Sequence, residues 1–147
     1  DANAGVGGGV GRFVLHVTAP QPVVPWLGRS LSNVDNCAQQ ATQPARDLLL
    51  VGTQVETTTP TTVLLFNPNT SAADVTLWGY SPSSAPAQVT VAAVPAGALR
   101  SVTLGAGFGP LTGQEWAFRV AASVPVVAAM EHTTAQAALR CDVAVTP

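Results

Sequence analysis

Few side chains in this chain have the chemistry of a catalyst or a metal ligand. Its 147 residues include two histidines, His16 and His132, and no lysine. The G-x-S-x-G motif that presents a nucleophilic serine is also absent. His132 follows Glu131 directly, and adjacent residues of a strand point to opposite faces, so this pair does not converge on one metal ion or one substrate. We therefore predict that the protein is not an enzyme and that it has no metal ion and no cofactor.

Other groups that resemble reactive sites have simpler explanations. Two of the eight carboxylates would have to pair for acid–base work on a glycosidic bond, but most fall at predicted turns or on outward strand positions, where they solubilise the chain. The glycine-rich segment Val6–Gly11 looks like a phosphate loop, yet no predicted strand precedes it and no predicted helix follows it. Neither pattern predicts an active site.

The two cysteines, Cys37 and Cys141, lie far apart and lack the spacing of a zinc or thioredoxin-type motif. We predict a disulfide between them, which would close a loop of about 100 residues and contribute on the order of 4 kcal/mol in the chain-entropy model. The alternative is two buried free thiols.

A disulfide implies an oxidising compartment. The start at Asp1 fits either a trimmed chain or a mature protein after signal-peptide removal, and we favour the second. We expect an extracellular or cell-surface protein.

Composition limits the partners of the chain. Hydrophobic residues make up 47% of it and charged residues 10%, against about 25% charged in ordinary globular domains. The formal net charge of −2 attracts neither nucleic acid nor an anionic membrane. The chain has no apolar run of about 18 residues, so we predict no membrane-spanning helix.

Alternating apolar and polar residues predict strands along most of the chain. The clearest case is Thr61–Tyr80, which predicts a strand, a turn at Asn67–Ser71 and a second strand. A tight turn is predicted at Pro95-Ala96-Gly97 and an interruption at Ser123-Val124-Pro125, and alternation places Trp116, Phe118 and Val120 on one face with Arg119 opposite. The other predicted strands are Arg12–Thr18, Leu48–Val55, Gln88–Val94, Leu99–Leu104, Glu115–Ala122, Val126–Thr133 and Ala138–Thr146. Spacing of about 8 to 12 residues is typical of all-β sandwiches. We predict an immunoglobulin-like or jelly-roll-like antiparallel β-sandwich of about eight to nine strands.

Three segments resemble one known group of proteins: VLLFNPNTSAADVTLWGY, VTVAAVPAGALRSVTL and FRVAASVPVVAAMEH. Together they make residues 47–142 similar to a family of secreted actinobacterial immunoglobulin-like β-sandwich domains of unknown function. The resemblance implies a sandwich fold, and the family brings no catalytic residues to transfer.

The N-terminus suggests a way to assemble. Residues 1–11 form a glycine-rich extension, and residues 12–147 are predicted to form a single domain. The predicted strand Arg12–Thr18 follows the extension, and one of its faces is strongly apolar. This strand could add to the sheet edge of a neighbouring copy. The residues of this assembly strand would be Val6, Val10, Phe13, Leu15 and Val17. We therefore predict a structural protein that forms a homo-oligomer or filament. The alternative is that Arg12–Thr18 is the first strand of its own sandwich.

The aromatic residues suggest a second kind of partner. Trp78 and Tyr80 share one face of their predicted strand, opposite Val75 and Leu77. If Val75 and Leu77 are core, the aromatic rings face outward, where with Trp26 they could bind a cell-surface glycan or a protein. If Trp78 faces inward, the aromatic residues pack in the core or against another subunit, which is the interpretation that we put first.

Overall fold

The computed structural model describes residues 20, 43–55, 61–82, 84–104, 114–133 and 139–147. These residues form seven strands: β1 (Ala45–Val55), β2 (Thr61–Phe66), β3 (Ala73–Ser81), β4 (Ser84–Val94), β5 (Leu99–Thr103), β6 (Gln114–Thr133) and β7 (Leu139–Val143). Every strand pair is antiparallel. The described part contains no helix, and so none that could cross a bilayer. The prediction of an all-β, antiparallel fold is confirmed.

Strand β6 organises the sheet. It is 20 residues long, and its first half pairs with β1 and β3, whereas its second half pairs with β2 and β7. Strand β4 lies outside β3, and β5 lies outside β2. The sheet therefore curls along β6, and both of its halves contribute side chains to one core.

The predicted break at Ser123-Val124-Pro125 was wrong, because β6 runs through these residues without interruption. A proline has no N–H for a ladder hydrogen bond, but polar groups from the β2–β3 connection and from the start of β3 bond to β6 around this point. The Asn69 side-chain amide donates to the Pro125 carbonyl oxygen at 2.6 Å. The Asp74 backbone N–H donates to Ser123 Oγ at 2.9 Å. These bonds hold β6 at the place where it passes from one half of the sheet to the other.

Strands β2 and β3 do not form the hairpin that the strand–turn–strand pattern of Thr61–Tyr80 predicts. Among the described residues, β2 pairs with β5 and β6, and β3 pairs with β4 and β6. Both are antiparallel to β6, so they run in the same direction along its two halves. The segment between them follows β6 from one half of the sheet to the other. The hairpin prediction failed because turn-forming residues do not by themselves reverse the direction of a chain.

The core follows the alternation of apolar residues along β6 and β3. Along β6 the alternate residues from Trp116 to Met130 face inward, and most of them are buried. The rings of Trp116 and Phe118 stack with centroids 6.1 Å apart. On β3, Val75 and Leu77 are buried among them. The buried hydrophobic residues are Leu48, Leu50, Val63, Leu65, Ala73, Val75, Leu77, Val91, Val94, Leu104, Trp116, Phe118, Val120, Val126, Ala128 and Met130.

The predicted tight turn at Pro95-Ala96-Gly97 is confirmed. The Ala98 N–H donates to the Pro95 carbonyl oxygen at 3.2 Å, which closes the turn. Gly97 has a φ of 66°, a left-handed conformation that residues with a Cβ adopt only at a cost. Its N–H donates to the backbone oxygen of Asn67 at 2.9 Å, so the turn is tied to the β2–β3 connection.

Replacing Gly97 by alanine should lower the free energy of unfolding by about 1 to 2 kcal/mol, because alanine resists a positive φ. No atom lies within 4 Å of the position that a Cβ would take, so the penalty comes from the backbone alone. Asparagine tolerates this conformation better, and Gly97→Asn should recover part of the loss. Urea unfolding of both variants measures the difference, and equal losses would contradict the backbone explanation.

Candidate binding surface

The outer face of β3 carries the two aromatic residues that the sequence singled out. Trp78 is half-buried, and Tyr80 is 38% exposed. Because strand residues alternate between faces, Val75 and Leu77 point the other way, into the core. Trp78 therefore does not lie on the inner face of the strand. Packing of the aromatic residues against another subunit stays a prediction.

The sheet register places polar groups beside the tryptophan. Trp78 lies opposite Gln88 on β4 and opposite Arg119 on β6. Side chains that are directly opposite in this way have Cβ atoms about 5 Å apart. On either side of Arg119 along β6, the outward residues are Ala117 and Ala121, both small. The aromatic rings and the guanidinium group therefore stand on an otherwise shallow surface.

An ion pair connects this surface to β1. Arg119 donates from Nε to one Asp47 carboxylate oxygen at 2.8 Å and from Nη2 to the other at 2.7 Å. The two side chains are 45% and 39% exposed. We call Trp78, Tyr80, Arg119 and Asp47 the aromatic face. Its central ion pair has no net charge, and its bidentate geometry fixes the guanidinium plane.

The ion pair shifts both of its members. The hydrogen bond from Arg119 lowers the pKa of Asp47, and the positive charge of Arg119 acts in the same direction. In turn Asp47 raises the pKa of Arg119, with a smaller contribution from Tyr80. Strands β1, β6 and β3 are thus joined by side chains on the outer face as well as by the backbone ladder.

This pair predicts a specific pH dependence. The pKa of Asp47 is lower in the folded chain than its unfolded value of about 3.9. Its contribution to stability is therefore complete above pH 4 and disappears as the pH falls through the folded pKa. The difference in stability between wild type and Asp47→Asn should be small, because the pair is exposed, and should shrink between pH 5 and pH 2. Urea unfolding measures this difference, and Asp74→Asn is the control that removes another carboxylate from the same face. A stability difference between wild type and Asp47→Asn that grows as the pH falls would contradict a lowered pKa of Asp47 in the folded chain.

Several predicted site residues lie outside the described residues. The assembly residues Val6, Val10, Phe13, Leu15 and Val17 are among them, as are Cys37 and Trp26. The backbone of Cys141 lies in β7 opposite Glu131, but its side chain is not described, so the disulfide stays a prediction. Among the described residues, no three His, Cys, Asp or Glu side chains are grouped in a way that could hold a metal ion.

Asn67 is a structural centre that sequence reasoning classed only as a turn residue. It is completely buried, and its amide donates to the carbonyl oxygens of Ser71 at 2.8 Å and Val94 at 2.9 Å. Its Oδ1 accepts from the backbone N–H and the side-chain amide of Asn69 at 3.0 and 2.8 Å. The sequence signal for this role was an asparagine before proline with a second asparagine two residues later. The bond to Val94, 27 residues away, is visible only in the tertiary structure.

The same bonds bear on the sequon Asn69-Thr70-Ser71. The Asn69 amide donates to Asn67 Oδ1 and to the Pro125 carbonyl oxygen. A glycan on this nitrogen would remove one of its two hydrogens, so glycosylation is incompatible with the complete set of bonds seen here.

No known protein-family model and no curated protein matches the chain. A solved structure with a similar fold is the crystal structure of Thermotoga maritima 1070, at a TM-score of 0.58 and 12% sequence identity. The match covers 71% of this chain and 96% of that chain. At this identity the likeness shows the fold alone: an antiparallel all-β protein built on a strongly curled sheet.

Proposed function

We propose that this chain is a non-catalytic, secreted or cell-surface protein that acts by association. On this proposal the curled sheet belongs to an immunoglobulin-like or jelly-roll-like sandwich of about eight to nine strands, as in the actinobacterial family that the sequence resembles. The way in which both halves of the sheet pack on one core through β6 supports a sandwich. The sequence has no lysine and two histidines, which supports a role without chemistry.

The first partner is another copy of the chain, and the outer edge of β4 carries this proposal. This strand has 11 residues, none of them charged, and among the described residues its partner is β3 alone. Edge strands usually carry charges or prolines that block further pairing. Here Pro86 lies near the start, and the stretch that follows, Ala87–Val91, pairs with β3 in unbroken register. Arg100 on β5 donates to the Ala93 carbonyl oxygen at 3.4 Å, beyond this stretch. The uncharged stretch Ala87–Val91 could accept the apolar strand Arg12–Thr18 from a neighbour.

Deletion of residues 1–18 tests assembly directly. The full chain should form oligomers or filaments in light scattering and negative-stain images, and the deleted chain should be monomeric. A matched variant with Phe13, Leu15 and Val17 all changed to threonine keeps the chain length and should also be monomeric. A peptide of residues 1–18 should then bind the deleted chain. The proposal of assembly would be overturned if the full chain and the chain without residues 1–18 were both monomeric.

The second candidate is an extracellular module that binds a glycan or a protein. It is favoured by the outward position of Trp78 and Tyr80, since large aromatic side chains on an outer sheet face are common anchors of recognition. Trp26 was predicted to share this role. Titration of intrinsic tryptophan fluorescence with cell-wall polysaccharide tests the candidate, and no response to any sugar or protein would leave it without support.

A further inference from the structure

We infer that the aromatic face binds a neutral carbohydrate, with Trp78 as the stacking platform and the Arg119–Asp47 pair as the group that orients the sugar hydroxyls. The inference rests on the second candidate function above and specifies the class of ligand. It depends on three properties of the described residues: the placement of the rings, the polar groups beside them, and the distribution of charge.

The rings are placed for stacking. Trp78 is half-buried, so part of its side chain stays accessible. Tyr80 follows two residues later on the same face and is 38% exposed. Residues i and i+2 of a strand are about 6.8 Å apart, so the two rings lie along the strand. An aromatic surface of this kind combines an apolar area with polar groups at its margin, which suits the apolar C–H face of a pyranose ring.

Hydrogen-bonding groups flank the tryptophan on both sides. The Gln88 amide on β4 can donate and accept, and it is exposed. On β6 the Arg119 guanidinium is held rigid by Asp47, whose carboxylate can accept further hydrogen bonds beyond the two from arginine. Thr76 and Thr90 form the next cross-strand pair on the same face. Planar polar side chains around an aromatic centre provide the few convergent groups that fix a small ligand.

The charge pattern selects a neutral ligand. Arg119 is the cation beside Trp78, and Asp47 neutralises it. Among the described residues of β1, β3, β4 and β6, the other arginine is Arg46, next to Asp47 on β1. The outward positions at the two ends of the face carry Asp74 on β3 and Glu115 on β6, both exposed carboxylates. An anionic ligand such as a uronate or a phosphorylated sugar would meet negative charge at both ends. A neutral sugar avoids this repulsion and can use the ion pair as both donor and acceptor.

The test uses the full chain and four polysaccharide probes. Soluble dextran, mannan and arabinogalactan are the neutral probes, and polygalacturonate is the anionic comparator. Affinity electrophoresis and fluorescence titration should show binding to at least one neutral probe and none to polygalacturonate. Trp78→Ala should weaken the association constant about tenfold, whereas Val145→Ala, at a 54% exposed apolar residue outside the aromatic face, should leave it unchanged. Tyr80→Ala and Gln88→Ala, both at exposed positions, give independent variants if Trp78→Ala unfolds.

Three results would overturn the inference. One is that no neutral probe binds, or that the probe binds equally well to Trp78→Ala, Tyr80→Ala and Gln88→Ala. Another is that polygalacturonate binds at least as tightly as the neutral probes. The third is that these variants change the oligomeric state in light scattering while no sugar binds. In that case the aromatic face is a contact between subunits, and the proposed function of association survives without the carbohydrate.

Discussion

Replacing Phe118 by alanine should lower the free energy of unfolding by about 3 to 5 kcal/mol, the range for a fully buried phenylalanine. Phe118 is completely buried. It lies in the first half of β6, opposite Leu50 on β1 and opposite Gly79 on β3. Gly79 has no side chain that could move into the space left by the ring, and the stacked Trp116 would lose its aromatic partner. The cavity would therefore stay open, which places the cost in the upper part of the range.

Urea denaturation monitored by circular dichroism measures this loss. Phe118→Leu keeps most of the volume and should cost less than about 1.5 kcal/mol. Val145→Ala removes apolar atoms at an exposed position and should change stability by less than about 0.5 kcal/mol. A loss below 1 kcal/mol for Phe118→Ala would show that the ring does not belong to the core shared by the two halves of the sheet.

The second large effect is expected at Asn67. Changing it to alanine should cost about 3 kcal/mol, because the Ser71 and Val94 carbonyl oxygens and the Asn69 backbone N–H all lose a buried partner at once. Asn69→Ala removes the two bonds from its own amide but leaves the Asn67 amide in place, and should cost less. Equal costs for the two variants would contradict a central role for Asn67.

Asn67→Asp gives the same position a pH-dependent test. The new carboxylate would be buried against the two carbonyl oxygens that now accept from the amide, so its ionised form is disfavoured and its pKa in the folded chain rises above about 3.9. A raised pKa means that the variant is most stable below pH 4 and loses stability as the pH rises through the folded value. We expect a larger loss at pH 7 than at pH 4. Asn67→Ala has no such group, and its loss relative to wild type should be the same at both pH values.

Within the described residues, strands were found where the alternation of apolar and polar residues is strong, but the pairing between strands was not predicted. Trp116, Phe118 and Val120 were placed on one face with Arg119 on the other, and the structure confirms this. The turn at Pro95-Ala96-Gly97 was also predicted correctly. The hairpin of β2 and β3 was wrong, because turn residues show where a chain bends and carry no information about which strand it then meets.

The aromatic face shows the same limit. The sequence placed Trp78 and Tyr80 on the same face of β3 but did not decide whether this face is the inner or the outer one, because both faces of β3 carry apolar residues. The ion pair of Asp47 with Arg119 joins residues 72 positions apart, and Asn67 reaches Val94 across 27. Separations of this size depend on the strand register, which no local pattern contains.

The sequence by itself determined the all-β class, the spacing of the strands, the faces that alternate along each of them and the scarcity of catalytic side chains. These properties follow from the chemistry of single residues and from the two-residue period of a strand. Only the tertiary structure decided that β6 continues through Pro125, that β2 and β3 pair with its two halves, and that Trp78 faces outward beside Arg119. Strand partners depend on how the whole core packs, because each half of the sheet buries its apolar face only when the other half covers it.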